Sequence, residues 1–198
     1  MEQYFEEKPL SKENIMAHDI NINNNKYIFY TSGGVFSKKG LDFGTRNLLL
    51  CLPIDKMKGS VLDLGCGYGP IGIYLLKNTG SKLTMSDINE RALELTAKNL
   101  KVNKVEATLL KSDGLNSLKE KYNYIVTNPP IRIGYKKLLL MMKETSQYLE
   151  KSGELWFVIK KKQGAERLIK DLGSEYNIEV ANKVKGYYIA VGTLKWYR

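Results

Sequence analysis

The segment Val61-Leu62-Asp63-Leu64-Gly65-Cys66-Gly67-Tyr68-Gly69-Pro70-Ile71-Gly72 leaves the chain few courses to follow. Val61 to Leu64 is a short apolar strand that runs directly into glycines at alternate positions. Without a Cβ, glycine lets a backbone turn sharply and come close to a ligand. Ile71 to Lys77 reads as a helix, and Pro70 suits its first turn, where the missing N–H costs nothing. A helix that opens at such a loop offers free N–H groups and a positive dipole end to a bound group. The spacing is G-x-G-x-G, which differs from the G-x-G-x-x-G of a dinucleotide loop. Asp63 precedes the glycines. Asp87 follows the next strand at the distance where folds of this kind place an acid for ribose hydroxyls.

From Ser60 onward strands and helices alternate. Strands are expected at Val61 to Leu64, Lys82 to Met85, Val105 to Leu110, Tyr122 to Val126 and Leu155 to Ile159, the last opened by a turn at Lys151-Ser152-Gly153. Helices are expected at Ile71 to Lys77, Asn89 to Lys101 with Asn89 as N-cap, Lys136 to Leu149 and Gly164 to Leu172. Two late strands, Ile178 to Val180 and Tyr187 to Leu194, have no helix between them and should pair antiparallel. This rhythm predicts an α/β fold, Rossmann-like, with a seven-stranded mostly parallel sheet, one antiparallel strand and helices on both faces. Ahead of it, residues 1–59 form an N-terminal extension, and residues 60–198 form the core of one compact domain. In the extension, Ile20 to Ile22 and Tyr27 to Tyr30 flank an asparagine cluster, the pattern of a hairpin. Gly44 or Thr45 opens a helix that Pro53 ends.

A chain of 198 residues with 43% hydrophobic and 26% charged residues suits one globular domain. No apolar run approaches the roughly 20 residues of a membrane span. The start MEQYFEEKPLSKENI is acidic and polar, without a signal core, so a cytoplasmic protein is expected. Cys51 and Cys66 offer neither a disulfide framework nor zinc-site spacing, and no metal is expected. Lys and Arg number 31 against 21 Asp and Glu, a formal charge of +10. Such a charge attracts polyanions: RNA, DNA and acidic membranes all qualify, and lysine-rich solubility accounts for it equally well.

The fourth strand ends at Thr127-Asn128-Pro129-Pro130-Ile131. Ligands of open α/β sheets bind at the carboxyl ends of strands, so this loop faces the same crevice as the glycines. Two prolines remove backbone donors and stiffen it, leaving carbonyls and the Asn128 amide for a ligand. The loop resembles the Asn-Pro-Pro motif of enzymes that act on planar exocyclic nitrogens, and the resemblance implies an amine whose lone pair is delocalised and weakly nucleophilic. Accepting its two N–H groups at Asn128 Oδ1 and the Pro129 carbonyl favours the pyramidal nitrogen that attacks an electrophile. Alignment then supplies most of the catalysis, and no metal, nucleophile or strong base is needed. His18 therefore reads as a surface or packing residue.

The glycine loop behind Asp63 resembles motif I of the class I S-adenosylmethionine-dependent methyltransferases, and Asn-Pro-Pro resembles their motif for planar exocyclic nitrogens. The resemblance implies S-adenosylmethionine as cofactor, held by Asp63, Gly65, Cys66, Gly67, Gly69, Asp87, Ile88, Ser112, Asp113 and Asn128. Asp63 takes the methionine ammonium region and Asp113 the adenine amine. It makes Asn128, Pro129, Pro130 and Ile131 the catalytic loop. The fourth position of that motif is often Tyr or Phe, which stacks on the base; here it is Ile131, so stacking falls to Phe36 or Tyr135.

Gly34 to Thr45, Gly65 to Gly72, Asn128 to Gly134 and Lys185-Gly186-Tyr187-Tyr188 together resemble the "small domain" methyltransferases. That group includes the bacterial enzymes that methylate N2 of guanine in 16S ribosomal RNA. Its GVFS-type segment closes over cofactor and substrate, a role carried here by Val35, Phe36 and Ser37. Arg132, Tyr135 and Lys136 join them as substrate residues, with Lys38, Lys39, Lys137 and Lys160 to Lys162 as further phosphate candidates. The implied partner is 16S rRNA or the 30S subunit, with no membrane. Larger members carry a second, degenerate copy of the domain, which leaves monomer and homodimer open for this chain. The alternative is glutamine N5-methylation of a release factor, whose amide poses the same electronic problem.

Overall fold

The computed structural model describes residues 15–32 and 40–195. The chain opens with a hairpin of β1 (Met16–Ile22) and β2 (Asn25–Thr31), joined at Asn23 and Asn24 with φ of 46° and 62°. Positive φ at both turn positions is the type I′ geometry that matches strand twist, and asparagine tolerates it. Then follow α1 (Phe43–Cys51), β3 (Ser60–Leu64), α2 (Pro70–Asn78), β4 (Lys82–Asp87) and α3 (Glu90–Asn103). The second half runs β5 (Thr108–Lys111), β6 (Tyr122–Thr127), α4 (Tyr135–Glu144), β7 (Leu149–Lys160), α5 (Ala165–Asp171), β8 (Tyr176–Val184) and β9 (Tyr187–Leu194).

Seven strands form one sheet in the order β5-β4-β3-β6-β7-β9-β8. All neighbours are parallel except β9, which runs antiparallel to both β7 and β8. The strands alternate their side chains between two cores. Val61, Val126, Trp156 and Val158 face α1, α2, α3 and the hairpin; Leu62, Ile125, Leu155 and Phe157 face α4 and α5. Burial on both faces is why these strands read as continuous apolar runs.

Several boundaries depart from the sequence expectation, each for a local reason. Asp42, and not Gly44 or Thr45, caps α1, because its carboxylate accepts the Thr45 N–H at 3.0 Å. β5 begins only at Thr108; Val105 N–H is spent on Leu100 C=O, closing α3 behind Lys104 at φ 58°. The helix expected to reach Leu149 stops at Glu144 and tightens into a 3-10 turn, Thr145–Tyr148. There the Thr145 hydroxyl donates to Met142 C=O at 2.6 Å, a bond within the chain's own last turn. Lys151-Ser152-Gly153 is no free turn but lies inside β7, where the register against β6 shifts.

The hairpin is docked by asparagines. Asn99 accepts the Tyr30 N–H at 2.7 Å and donates to Tyr30 C=O at 2.9 Å. Asn103 accepts the Ile28 N–H at 3.3 Å and donates to its C=O at 2.7 Å. Four helical residues rise about 6 Å and two strand residues about 6.8 Å, so one turn of α3 matches the repeat of the β2 edge. The edge is thereby closed by side chains in place of a third strand. Asn99 also donates to Tyr68 C=O at 2.8 Å, joining hairpin to glycine loop. Asn99→Leu should lose about 2–4 kcal/mol in urea unfolding, because it strands buried backbone groups on Tyr30 and Tyr68. A loss under about 1 kcal/mol would show that the hairpin docks through its apolar face alone.

Candidate functional site

The carboxyl ends of β3, β4, β5 and β6 bring Asp63, Gly65, Asp87, Asp113 and Asn128 to one edge of the sheet. Gly65 and Gly67 turn with φ of 71° and 58°, and a Cβ on either would meet nothing within 4 Å. Both glycines therefore border open space, the form of a cradle. Gly69 differs: a Cβ there would lie 3.0 Å from Thr96 and 3.1 Å from Met85, so it is a packing position. Cys66 is also turned inward; its thiol lies in the core, and burial pushes its pKa well up. Only the backbone of Cys66 remains for a ligand.

Asp63 is wholly buried. Its Oδ2 accepts the N–H of Gly72 at 2.8 Å, while its Oδ1 has no hydrogen-bond partner. Desolvation, opposed by the Gly72 bond and assisted by nearby Asp87, pushes the carboxyl up to about 7. A buried carboxylate with one idle oxygen is suited to a cationic ligand group. Backbone N–H groups hold Asp87: Gly67 at 2.8 Å, Asn89 at 2.9 Å, and Ile88 as well. Burial raises its pKa too, and the backbone N–H bonds oppose the rise. Asn89 caps α3 through the Ala92 N–H, as the sequence predicts. Thr96 donates to Gly67 C=O at 2.8 Å, fixing the loop from α3.

Ile88 lies half-buried behind Asp87, and Asp113 is exposed past the end of β5. Ser112 is different. Its hydroxyl donates to Gly114 C=O and accepts the Ser117 N–H, and its N–H goes to Asp87 C=O. That side chain shapes the loop and is not turned to a ligand.

Asn128 stands at the end of β6, where the Thr127 hydroxyl donates to Leu64 C=O at 2.8 Å and so staples this loop to the glycine loop. The Asn128 amide donates to Thr45 Oγ1 at 2.9 Å and to Asp42 Oδ2 at 3.3 Å. With its N–H₂ spent on α1, the group presents Oδ1 on its other side. Pro129 is buried and Pro130 half-buried; Pro130 C=O accepts Ile133 N–H in the 3-10 turn Ile131–Ile133. Ile131 packs partly against the α4–α5 core. Arg132 and Lys136 are exposed just beyond.

Tyr135 does not fit the stacking role assigned from sequence. Its hydroxyl donates to Asp171 at 2.5 Å and Arg167 lies over its ring at 4.0 Å, committing it to the α4–α5 contact. Val35, Phe36 and Ser37, with Lys38 and Lys39, lie outside the described residues. His18 bonds Thr31 Oγ1 at 3.0 Å, a packing contact of the hairpin. Sequence reasoning missed Asp42 and Thr45 as partners of Asn128. The signal available was the Asp-x-x-Thr start of α1, which reads as a cap and carries no hint of a residue on β6.

Residues 26–191 match the family model described as methyltransferase small domain. An uncharacterized protein, YbxB of Bacillus subtilis, is 39% identical over 95% of this chain and 96% of its own length. Ribosomal RNA small subunit methyltransferase C of Actinobacillus pleuropneumoniae is 38% identical over 77% of this chain but 49% of its own. The chain thus spans about half the length of that curated relative. Among solved structures, the T. thermophilus 16S rRNA N2 G1207 methyltransferase in complex with AdoMet and guanosine matches with a TM-score of 0.81 and 24% identity. That match covers 95% of this chain and 52% of the other.

The Asp63 carboxyl makes the ligand-free protein sensitive to pH. It ionises near 4 when unfolded and at about 7 when folded, so stability from this group is present below pH 4 and falls as pH rises to 7. Relative to the parent, Asp63→Asn should gain unfolding free energy across that window, by ~4 kcal/mol at most, in urea titrations at stepped pH. A difference that stays flat from pH 4 to 7 would mean that the carboxyl is not perturbed.

Proposed function

The chain belongs to the methyltransferase small domain family, whose class I members use S-adenosylmethionine, and we propose that it methylates an exocyclic amine of an RNA base, N2 of guanine in 16S ribosomal RNA. The observation that carries the reading is the Asn128 amide, anchored through its N–H₂ to Thr45 and Asp42 so that Oδ1 is left as an acceptor. The relatives named as small-subunit ribosomal RNA methyltransferases support the choice of RNA, and the formal charge of +10 suits a polyanionic substrate.

The residues present fit the cofactor. The idle Asp63 Oδ1 suits an α-ammonium, and the open space at Gly65 and Gly67 suits a group lying against the loop backbone. Asp87 would take the ribose hydroxyls, and Asp113 the adenine amine beside Ile88. S-adenosylmethionine, when bound, supplies an electrophilic methyl group on a sulfonium. The rest is positioning. Asn128 Oδ1 and Pro129 C=O accept the two hydrogens of the base amine and turn its lone pair out of conjugation. Buried Pro129 and the staple from Thr127 keep these acceptors from drifting, and alignment of this kind is worth several kcal/mol of barrier. The methylated nitrogen is cationic and loses one proton to water without a dedicated base.

Incubation with tritiated cofactor and, in separate reactions, 30S subunits, naked 16S RNA or release factor should place label in 2-methylguanosine of the RNA. Label in the release factor with none in RNA overturns the reading. Asn128→Ala should lower transfer by about a hundredfold or more while cofactor affinity stays within a few-fold. Thr45→Val, which removes one anchor of the amide, should lower turnover by roughly tenfold without altering cofactor affinity, and Thr45→Ser should restore it.

A further inference from the structure

Along the carboxyl edge of the sheet, acids gather on one side of Asn128 and lysines on the other, and Lys111 at the end of β5, on the acidic side, is paired with Glu90 at 2.7 Å. The order β5-β4-β3-β6-β7-β9-β8 sets Asp113, Asp87 and Asp63 on one side of β6. On the other side, β7 ends at Lys160 and continues into Lys161 and Lys162, and the β8–β9 hairpin carries Lys183 and Lys185. Because β8 is parallel to β7, the hairpin tip falls at the same edge as Asn128. The tip is well defined: Lys185 and Gly186 turn at φ of 44° and 76°, and Lys161 N–H donates to Gly186 C=O at 2.8 Å.

Aromatic rings underlie these lysines. Lys160 Nζ lies 4.7 Å from the Tyr187 centroid, Lys183 Nζ 4.6 Å from Tyr188 and Lys185 Nζ 5.3 Å from Phe43. Phe43 and Tyr187 themselves pair at 5.4 Å. Phe43 follows Asp42, the residue bonded to Asn128, so the ring pair adjoins the amine site. Gly44 makes room for this: a Cβ there would be 2.6 Å from the Tyr187 ring. Two acids face the group. Asp42 acts on Lys160, and Glu166 accepts from Tyr188 at 2.9 Å and lies 3.4 Å from Lys161 Nζ. The lysines outnumber them, and a cation over a ring is held without losing its charge.

We propose that this ridge is the track for the RNA strand flanking the methylated base, with phosphates on Lys160, Lys183 and Lys185 and a neighbouring base stacked on Phe43 and Tyr187. The proposal rests on the RNA-base reading and assigns its substrate as a single-stranded segment. The path from β6 to β8 crosses β7 and β9, about 14 Å at ordinary strand spacing, beyond the span of one nucleotide held at Asn128. Phe43 and Tyr187 are half-buried, and lysines tracking a backbone beside aromatic rings are the usual means of holding an unpaired strand.

The test is the double variant Lys183→Gln, Lys185→Asn, since asparagine tolerates the positive φ of position 185. The probe is whichever of 30S subunits and naked 16S RNA accepts label from the parent protein, with binding and transfer measured at several salt concentrations. Affinity should fall on the order of tenfold at 0.1 M salt, and the slope of log K against log salt should shrink by about 0.7 per lysine. Cofactor affinity, unchanged within twofold, reports an intact fold. Phe43→Leu should weaken RNA binding by roughly tenfold with no change of slope. A parent that methylates RNA and a double variant of unchanged affinity and slope would overturn the track while leaving the RNA-base reading intact. Label going only to a protein would overturn both.

Discussion

The bond from Gly72 N–H to the buried Asp63 carboxylate joins the first parallel strand to the helix behind it, and the carboxyl edge is assembled around that joint. Gly72 can make it because it has no side chain: a Cβ would lie 2.5 Å from Met85, so α2 settles directly onto β4. The glycine loop between β3 and α2 is then held from three directions, by Asp87 on Gly67 N–H, Thr96 on Gly67 C=O and Asn99 on Tyr68 C=O. The joint has an electrostatic cost. A carboxyl moved from ordinary acidity to about 7 is out of balance until a cation lies beside it, which gives the empty-handed Oδ1 its chemical meaning.

The Asn-Pro-Pro loop depends on the same joint. Thr127 bonds Leu64 C=O, the last carbonyl before the glycines, so the two loops share one anchor at the center of the sheet. The Asn128 amide is oriented from the opposite quarter, by the cap of α1. Asp42 thus serves two structures at once: it begins a helix and helps set the direction of a side chain distant in sequence. Coupling a cap to a site residue in this way uses a bond the helix needs in any case, and adds no further buried polar group.

Much of the fold was legible. The alternation of apolar strands with amphipathic helices predicted the parallel sheet, and the absence of a helix between the last two strands predicted antiparallel β9. Asparagines in the N-terminal region predicted a hairpin turn, and Asn89 an N-cap. Boundaries were less legible, because Asp42 competes with Thr45 for the cap and Thr145 diverts α4 into a tighter turn. Within the site, the backbone chemistry of Asp63, Gly65 and Gly67 could be read because strand, loop and helix are consecutive. The partners of Ser112 and Tyr135 were not legible, because neither sequence proximity nor chemistry singles out Ser117 for one or Asp171 for the other.

What the sequence by itself determined is therefore the set of local structures: where backbone can turn, which stretches bury both faces, and which residue types stand at strand ends. Those follow from sterics and periodicity over a few residues, and they need no knowledge of the far chain. The tertiary structure alone decided orientation and company. It turned the Asn128 amide by a helix cap 86 residues away in sequence, and it matched Asn99 and Asn103 to the edge of β2. It also gathered Lys160, Lys183 and Lys185 onto aromatic rings at one end of the sheet. Side-chain direction is set by whichever distant donor or ring the fold brings near, and a short-range pattern carries no record of it.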